Sequence, residues 1–492
     1  MEVLTKKAIA IVVALVVLVA AGGFGVYYYF TNTPKNKYLL SEKKSYEDVS
    51  NYLSERYKDE MALSNKMPNE SYKSSITLGA ELPETLTSGL GIPADLIKSS
   101  KIELSAAHDP KNSASQLAIN PTIGDSKMDA FIWSADAKYQ YLQGPILKNP
   151  LQFNNDQFIE GLEKLTGEKM STEDGLTNDT LNLNSIMSTP ISQDELNDLV
   201  NRYMKFTIDQ LNDDLFKKGS EEVDVFGKKQ KLDTITLDMK NTDVKNLTIA
   251  VVEEASNDKD LQKLLKQSDA TIDVKKELQT VLKSLKETKA ADFPAIKSTI
   301  YVDGKTILKR DIVIGIDEEK LHIVADTKVD KEVQLKVVGT DKEQTGTLTI
   351  EGSSTGSKDF KDDYTIKLSD QDTPMFEIQL TNDEKVDSKK RTNAMALNFT
   401  APDEDPFKIT YDQEMTTDVK NNSQDSKGTV AFDVQGENIK LFVDTKTKLK
   451  EPLKLDVPNA KNVNDMTEDE VIKLREEVTN VFASLFMGLG GL

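Results

Sequence analysis

The chain has 492 residues, no cysteine, and 62 basic against 82 acidic side chains, a net charge of −20. So acidic a surface repels nucleic-acid phosphates, and no basic patch with interleaved aromatics opposes it, so nucleic acid is excluded as a partner. The lack of cysteine excludes disulfides, thiol nucleophiles and thiolate metal sites.

In chain order, the first element is the uncharged run from Ala8 to Phe30. As a helix it would reach roughly 34 Å, against about 30 Å for a hydrocarbon core. It outruns the ~7–15 apolar residues of a cleaved secretory signal, although Ala20-Ala21-Gly22 supplies small residues suited to cleavage. Tyr27, Tyr28, Tyr29 and Phe30 close it like an interfacial aromatic belt. Residues 1–30 are therefore expected to be an uncleaved signal-anchor, a single transmembrane helix. Lysines flank both sides, so the positive-inside rule does not orient it. The short N-terminal tail does, and places the body on the extracytoplasmic side of the cell membrane.

Residues 31–70 read as a polar linker and an amphipathic helix, with Leu39, Tyr46, Val49, Leu53 and Tyr57 as a narrow apolar stripe packed on the first domain. Residues 71–240 read as a first sheet-and-helix lobe. "KIELSAAHD", "SQLAINPTIG", "KMDAFIWSAD" and "KYQYLQGPIL" alternate as strands, and the third carries apolar residues on both faces. Two helices follow, the longer with a capping box of Ser192 and Glu195 and an end at Gly219, and then the hairpin "EVDVFGKKQKLDTITLDM". Residues 241–460 read as a second lobe, two helices and then about eleven or twelve short strands in an antiparallel meander. Asp303-Gly304 reads as a type I′ hairpin turn. In residues 461–492, Thr467 and Glu470 form a capping box. Val471, Leu474, Val478, Phe482 and Leu485 make one apolar face, marking a helix that docks on the sheet or reaches a partner. The expected fold class is thus α+β: a transmembrane helix, then mostly antiparallel β sheets with packed helices in two lobes.

Chemistry-bearing patterns are sparse. His108 and His322 fall in different expected strands, and there is no P-loop, no dinucleotide fingerprint and no H-E-x-x-H. The acidic runs at Asp359–Asp363, Asp403–Asp405 and Asp258–Asp260 lack the spacing of a calcium loop and read as solvated turns. No catalytic residue, cofactor or metal is assigned, and an enzyme is not expected.

The stretch "KYLLSEKKSYEDVSNYLSERYKDEM" behind the apolar run resembles an uncharacterised family, a domain of unknown function, of membrane-anchored proteins from Gram-positive, Bacillus-type bacteria. "KIELSAAHDPKN" and "GPIL" are similar to it as well. The resemblance implies an envelope location and supplies no site. A looser architectural likeness is to LolA-like carriers, in which a curved antiparallel sheet wraps around helices and leaves an apolar cavity. Two roles follow: a scaffold or sensor that binds another envelope protein, or a carrier of a lipid or lipoprotein acyl chain. A filled core with an exposed apolar patch favours the first, and a sheet-lined cavity of several hundred Å³ the second.

Overall fold

The computed structural model describes residues 33–170, 177–188, 193–262, 274–316, 319–341, 346–371, 373–434 and 436–489. The expected anchor, Ala8 to Phe30 with Tyr27, Tyr28 and Tyr29, lies outside them. Among the described residues no helix is long and apolar enough to cross a membrane. The single-pass, signal-anchor placement on the extracytoplasmic side of a membrane is therefore withdrawn.

The body is built on one sheet, which corrects the expectation of two lobes. The hairpin β8 (Phe216–Val225) and β9 (Lys228–Met239) opens a meander that continues through eleven further strands, from β10 (Ala295–Asp303) to β20 (Glu437–Leu449). Each strand of this series pairs antiparallel with the next in sequence. β20 then pairs with β1 (Tyr72–Glu81), from Tyr72 opposite Leu449 to Glu81 opposite Lys440. From β1 the sheet runs through β2 (Lys101–Asp109), β3 (Ala114–Ile123), β5 (Phe131–Ala135), β6 (Tyr139–Gln143) and β7 (Leu151–Asn154). The two-residue strand β4 (Ser126–Lys127) folds back on the end of β3, and β21 (Lys461–Asn462) adds to β7 as a parallel pairing. The hairpin β8–β9, expected to close the first lobe, instead opens the meander through its pairing with β10, and the remaining strands of the two regions join at the β1–β20 seam.

Local sequence explains most turns. Between β8 and β9, Phe226 (φ 49°) and Gly227 (φ 77°) both take positive φ, the condition for a type I′ loop. Between β10 and β11 (Thr306–Ile316), Asp303 pairs with Thr306, so the loop residues are Gly304 and Lys305. Of these only Gly304 has positive φ, as in a type II′ turn with glycine first, which corrects the type I′ expectation. The expected helix end at Gly219 is also corrected: the helix stops at Gln210 and Gly219 lies inside β8. As an edge strand, β8 buries only Phe216 and Val225, so it carries almost no apolar alternation.

The strand registers let one face be followed across the sheet. Ile350, Ile366, Ile378, Phe399 and Phe407 stand opposite one another on five successive strands. Farther along, Val443, Leu78 and Ile102 align, and next to them Ile76, Leu104, Ile119 and Phe131. Leu78, Ile102, Leu348, Phe407 and Leu441 are exposed large side chains on this same face. The reverse face carries cross-strand ion pairs such as Lys361 with Asp383 and Lys367 with Glu377. The sheet is thus apolar on one side and charged on the other.

Helix α1 (Pro34–Arg56), begun by Thr33 accepting from the Asn36 amide at 3.2 Å, lies across the apolar side. It does not pack with the expected stripe. Of those residues only Leu39 is buried, Tyr57 is half-buried, and Tyr46, Val49 and Leu53 are exposed. The reason is what α1 crosses. Tyr38 hydrogen-bonds Ser298 at 2.8 Å, Glu42 pairs with Arg310 at 2.8 Å, and Arg56 pairs with Asp362 and Glu384. That strip of the sheet is polar, so α1 meets it with polar residues. Tyr38 and Leu39 join the main core, with Ile235, Met239, Val244, Ile296 and Ile300. Val244 belongs to helix α8 (Asn241–Asn257), which covers the same region together with α9 (Val274–Glu287).

Candidate functional site

At the other end of the sheet a second core forms around Leu151, Phe153, Phe158 and Val463. Phe158 opens helix α5 (Phe158–Thr166) and stacks on Trp133 with centroids 6.2 Å apart, while Phe153 meets it edge-on at 5.3 Å. Trp133 is further fixed by donating from Nε1 to Gln140 Oε1 at 3.0 Å. Gly161 is what lets α5 close on β7: a Cβ there would stand 2.6 Å from a Phe153 ring carbon.

The last helix, α10 (Glu468–Leu489), lies against α5. Its expected capping box is present, with the Thr467 amide donating to Glu470 Oε2 at 2.8 Å and the Glu470 amide to Thr467 Oγ1 at 3.4 Å. These bonds from Thr467 hold the Glu470 carboxyl below its ordinary range. Val471 is buried, Leu474 packs on the second core, and Val478 is half-buried. The side chains of Phe482 and Leu485 lie outside the description. The strand preceding α10 is laced to α5: Lys164 donates to the Asn464 carbonyl at 2.9 Å, and Asn464 donates to the Gln157 carbonyl at 2.9 Å.

Between this helical pair and the apolar face of β1, β2, β3, β5 and β6 lies a cavity of about 920 Å³. Ile76, Leu104, Leu117, Phe131 and Trp133 line it from the sheet, and Leu165 and Val478 from the helices. Thr166, Thr479 and Arg475 are the polar residues of the helical wall. The volume falls in the range of about 300–1,000 Å³ typical of small-molecule sites, and the lining is mostly aliphatic and aromatic. Of the residues singled out in the sequence, Val478 reaches the cavity, while Val471 and Leu474 serve its support. Arg475 escaped sequence reasoning; the signal available was a lone arginine within an otherwise apolar helical period.

The two histidines are not brought together. His108 Nδ1 lies 2.8 Å from Ser115 Oγ, which donates to Asn184 Oδ1 at 2.6 Å. Ser115 is wholly buried, so this chain cross-links β2, β3 and helix α6 (Leu183–Met187) rather than facing a substrate. Burial pushes His108 below its ordinary value. His322 on β12 (Glu319–Val329) pairs with Asp311 at 2.9 Å on the surface. The acidic runs are partly spent internally. Asp258 and Asp260 grip Arg202 at 2.7 and 3.1 Å, and Asp362 serves Arg56. Among the described residues, no group of three or more His, Asp or Glu could hold a metal ion.

No protein family model matches the chain, and no curated protein matches it. Solved structures with some likeness are OccK5 (OpdH) of Pseudomonas aeruginosa, 5% identical over 77% of this chain and 97% of that one at a TM-score of 0.22, and OccAB4 of Acinetobacter baumannii, 7% identical over 78% and 99% at 0.23. A loop-deletion mutant of OmpT, an outer membrane protein of Vibrio cholerae, follows at 6% identity, over 77% and 98%, and a TM-score of 0.18. Likenesses this distant carry no argument about fold or function.

Proposed function

We propose that the protein binds an apolar ligand, a lipid or other molecule with a long aliphatic chain, in the cavity between the sheet and α5–α10. One observation carries this reading: a volume of about 920 Å³ lined by apolar side chains of the sheet. A scaffold or sensor role finds support in the exposed apolar side chains of the same face, such as Leu78, Ile102 and Leu441, while the sheet-lined volume favours the carrier. Burying a chain in the cavity gains roughly 0.8 kcal/mol per methylene removed from water. That is the physics of a carrier, and it needs neither catalytic group nor cofactor.

The chain contains a single tryptophan, Trp133, and it lines the cavity, so intrinsic fluorescence reports occupancy directly. Titrating the purified full chain with the neutral probe N-phenyl-1-naphthylamine should quench Trp133 by energy transfer and saturate. Ala106→Phe places a large ring among the lining residues and should abolish saturable quenching while leaving the melting curve cooperative. No quenching in the unaltered chain, or quenching untouched by Ala106→Phe in a folded variant, would remove the basis of the proposal.

A further inference from the structure

Of the chain's five arginines, four are satisfied by carboxylates. Arg56 takes Asp362 and Glu384, Arg202 takes Asp258 and Asp260, Arg310 takes Glu42, and Arg391 takes Glu384 and Glu60. Arg475 has no carboxylate partner among the described residues, in a chain where acids outnumber bases 82 to 62. Among the described residues it is also the one charged residue that lines the cavity. Its guanidinium is held by the last carbonyls of α5, Nε donating to Leu165 at 2.7 Å and Nη2 to Lys164 at 2.6 Å. Nη1 is left over. Gly167, which ends α5 at φ 80°, makes room for it: a Cβ there would stand 2.8 Å from Nη1.

A guanidinium offers five donors in a planar fork that suits carboxylate and phosphate oxygens. Two donors are committed to orienting the group, and the rest belong to a cation that borders an apolar space with no counter-charge among the described residues. Such a group is best satisfied by an anion brought in by the ligand, through charge-assisted hydrogen bonds. Thr166 and Thr479 line the same wall, but their hydroxyls donate to the Leu162 carbonyl at 2.9 Å and the Arg475 carbonyl at 2.8 Å, so the donors left for an anion are those of Arg475. We infer that the ligand is an anionic amphiphile, its aliphatic tail in the cavity and its carboxylate or phosphate head on Arg475. This rests on the cavity's being a ligand site, and it adds which ligands are selected.

The test compares three probes on the purified full chain, read by Trp133 fluorescence: oleate, 1-oleoyl-lysophosphatidate, and oleyl alcohol, which shares the tail and lacks the charge. At least one anionic probe should bind roughly tenfold or more tighter than the alcohol. Which anion binds tighter tells whether the head is a carboxylate or a phosphate. Arg475→Gln should erase the preference, bringing the anionic probes to the affinity that the same variant shows for the alcohol, while Arg475→Lys, which keeps the charge, should retain part of it. Equal binding of all three probes by the unaltered chain, or a preference that survives Arg475→Gln, overturns the assignment of the head but not the apolar site. Failure of every probe to bind overturns the site and the head together.

Discussion

Arg56 is the residue on which the placement of α1 depends most. It is 8% exposed at the end of the helix. Nη1 and Nη2 donate to Asp362 at 2.8 and 2.6 Å, and Nε and Nη2 to Glu384 at 3.3 and 2.8 Å. Its guanidinium also lies 4.5 Å from the Phe360 ring centroid. Arg391 bonds Glu384, Glu60 and the Arg56 carbonyl, so two arginines and three carboxylates share one nearly dry site. Arg56→Met keeps much of the stem but leaves Asp362 with two neutral donors, the Asn382 amide at 2.9 Å and the Ser354 hydroxyl. Removing one partner of a buried pair costs about 3–5 kcal/mol, because the charge left behind is not rehydrated. Urea unfolding followed by circular dichroism should therefore show Arg56→Met destabilised by that amount. Arg56→Met combined with Asp362→Asn should cost less than the sum of the two single changes, since each alone strands the other's charge. A single-variant cost under about 1 kcal/mol, or strict additivity, would refute the view that this cluster pins α1 to the sheet.

Three further outcomes follow from the structure. Burial lowers His108 below its ordinary 6.5, so between that value and the lower folded one the unfolded chain binds a proton that the folded chain does not. Stability should then fall as pH drops below about 6.5, and melting curves of His108→Gln should lose much of that slope; an identical profile would refute it. For Asp362, burial raises the carboxyl, but hydrogen bonds from Arg56, Ser354 and Asn382 together with the Arg56 charge outweigh it and hold it below 3.8, so its stabilisation is complete above 3.8 and disappears as pH falls through the lowered value. Ending the chain before Met466 removes Val471 and Leu474 from the second core, roughly 1.5–3 kcal/mol each before entropy, together with one cavity wall. The melting temperature should fall by several degrees and binding of N-phenyl-1-naphthylamine should lose its saturation; an unchanged melt would show that α10 does not support the fold.

Much of the meander was legible because its strands alternate cleanly, as Ile312 and Ile314 do opposite Ile323 and Leu321. The capping box at Thr467 and the hairpin at Phe226-Gly227 were legible because both are local chemistry. What failed was non-local. Nothing in β1 or β20 alone announces that they are neighbours, since each reads as an ordinary one-sided strand. The buried face of α1 escaped because Lys35, Ser41, Glu42 and Arg56 are buried by partners and not by hydrophobicity, so periodicity chose Tyr46, Val49 and Leu53, which are exposed. The cavity was legible only as an apolar excess around Phe131 and Trp133. Its volume depends on how α5 and α10 lean on the sheet, and Gly161 and Asn464 decide that in three dimensions.

The seam between β1 and β20 governs how the molecule can be made. Nearly the whole body of the chain must be synthesised before Tyr72 can find Leu449. From β10 to β20 each strand pair closes a short loop, whereas this one closes the longest, and non-local pairing of this kind slows folding. Until it forms, each half of the sheet carries a free edge ready to accept a strand. The same edges on a second nascent chain are chemically indistinguishable, so exchange of β1 between two chains competes with correct closure. Folding yield should accordingly depend on protein concentration during refolding, and the product of the wrong choice is an intertwined dimer whose every local contact is native.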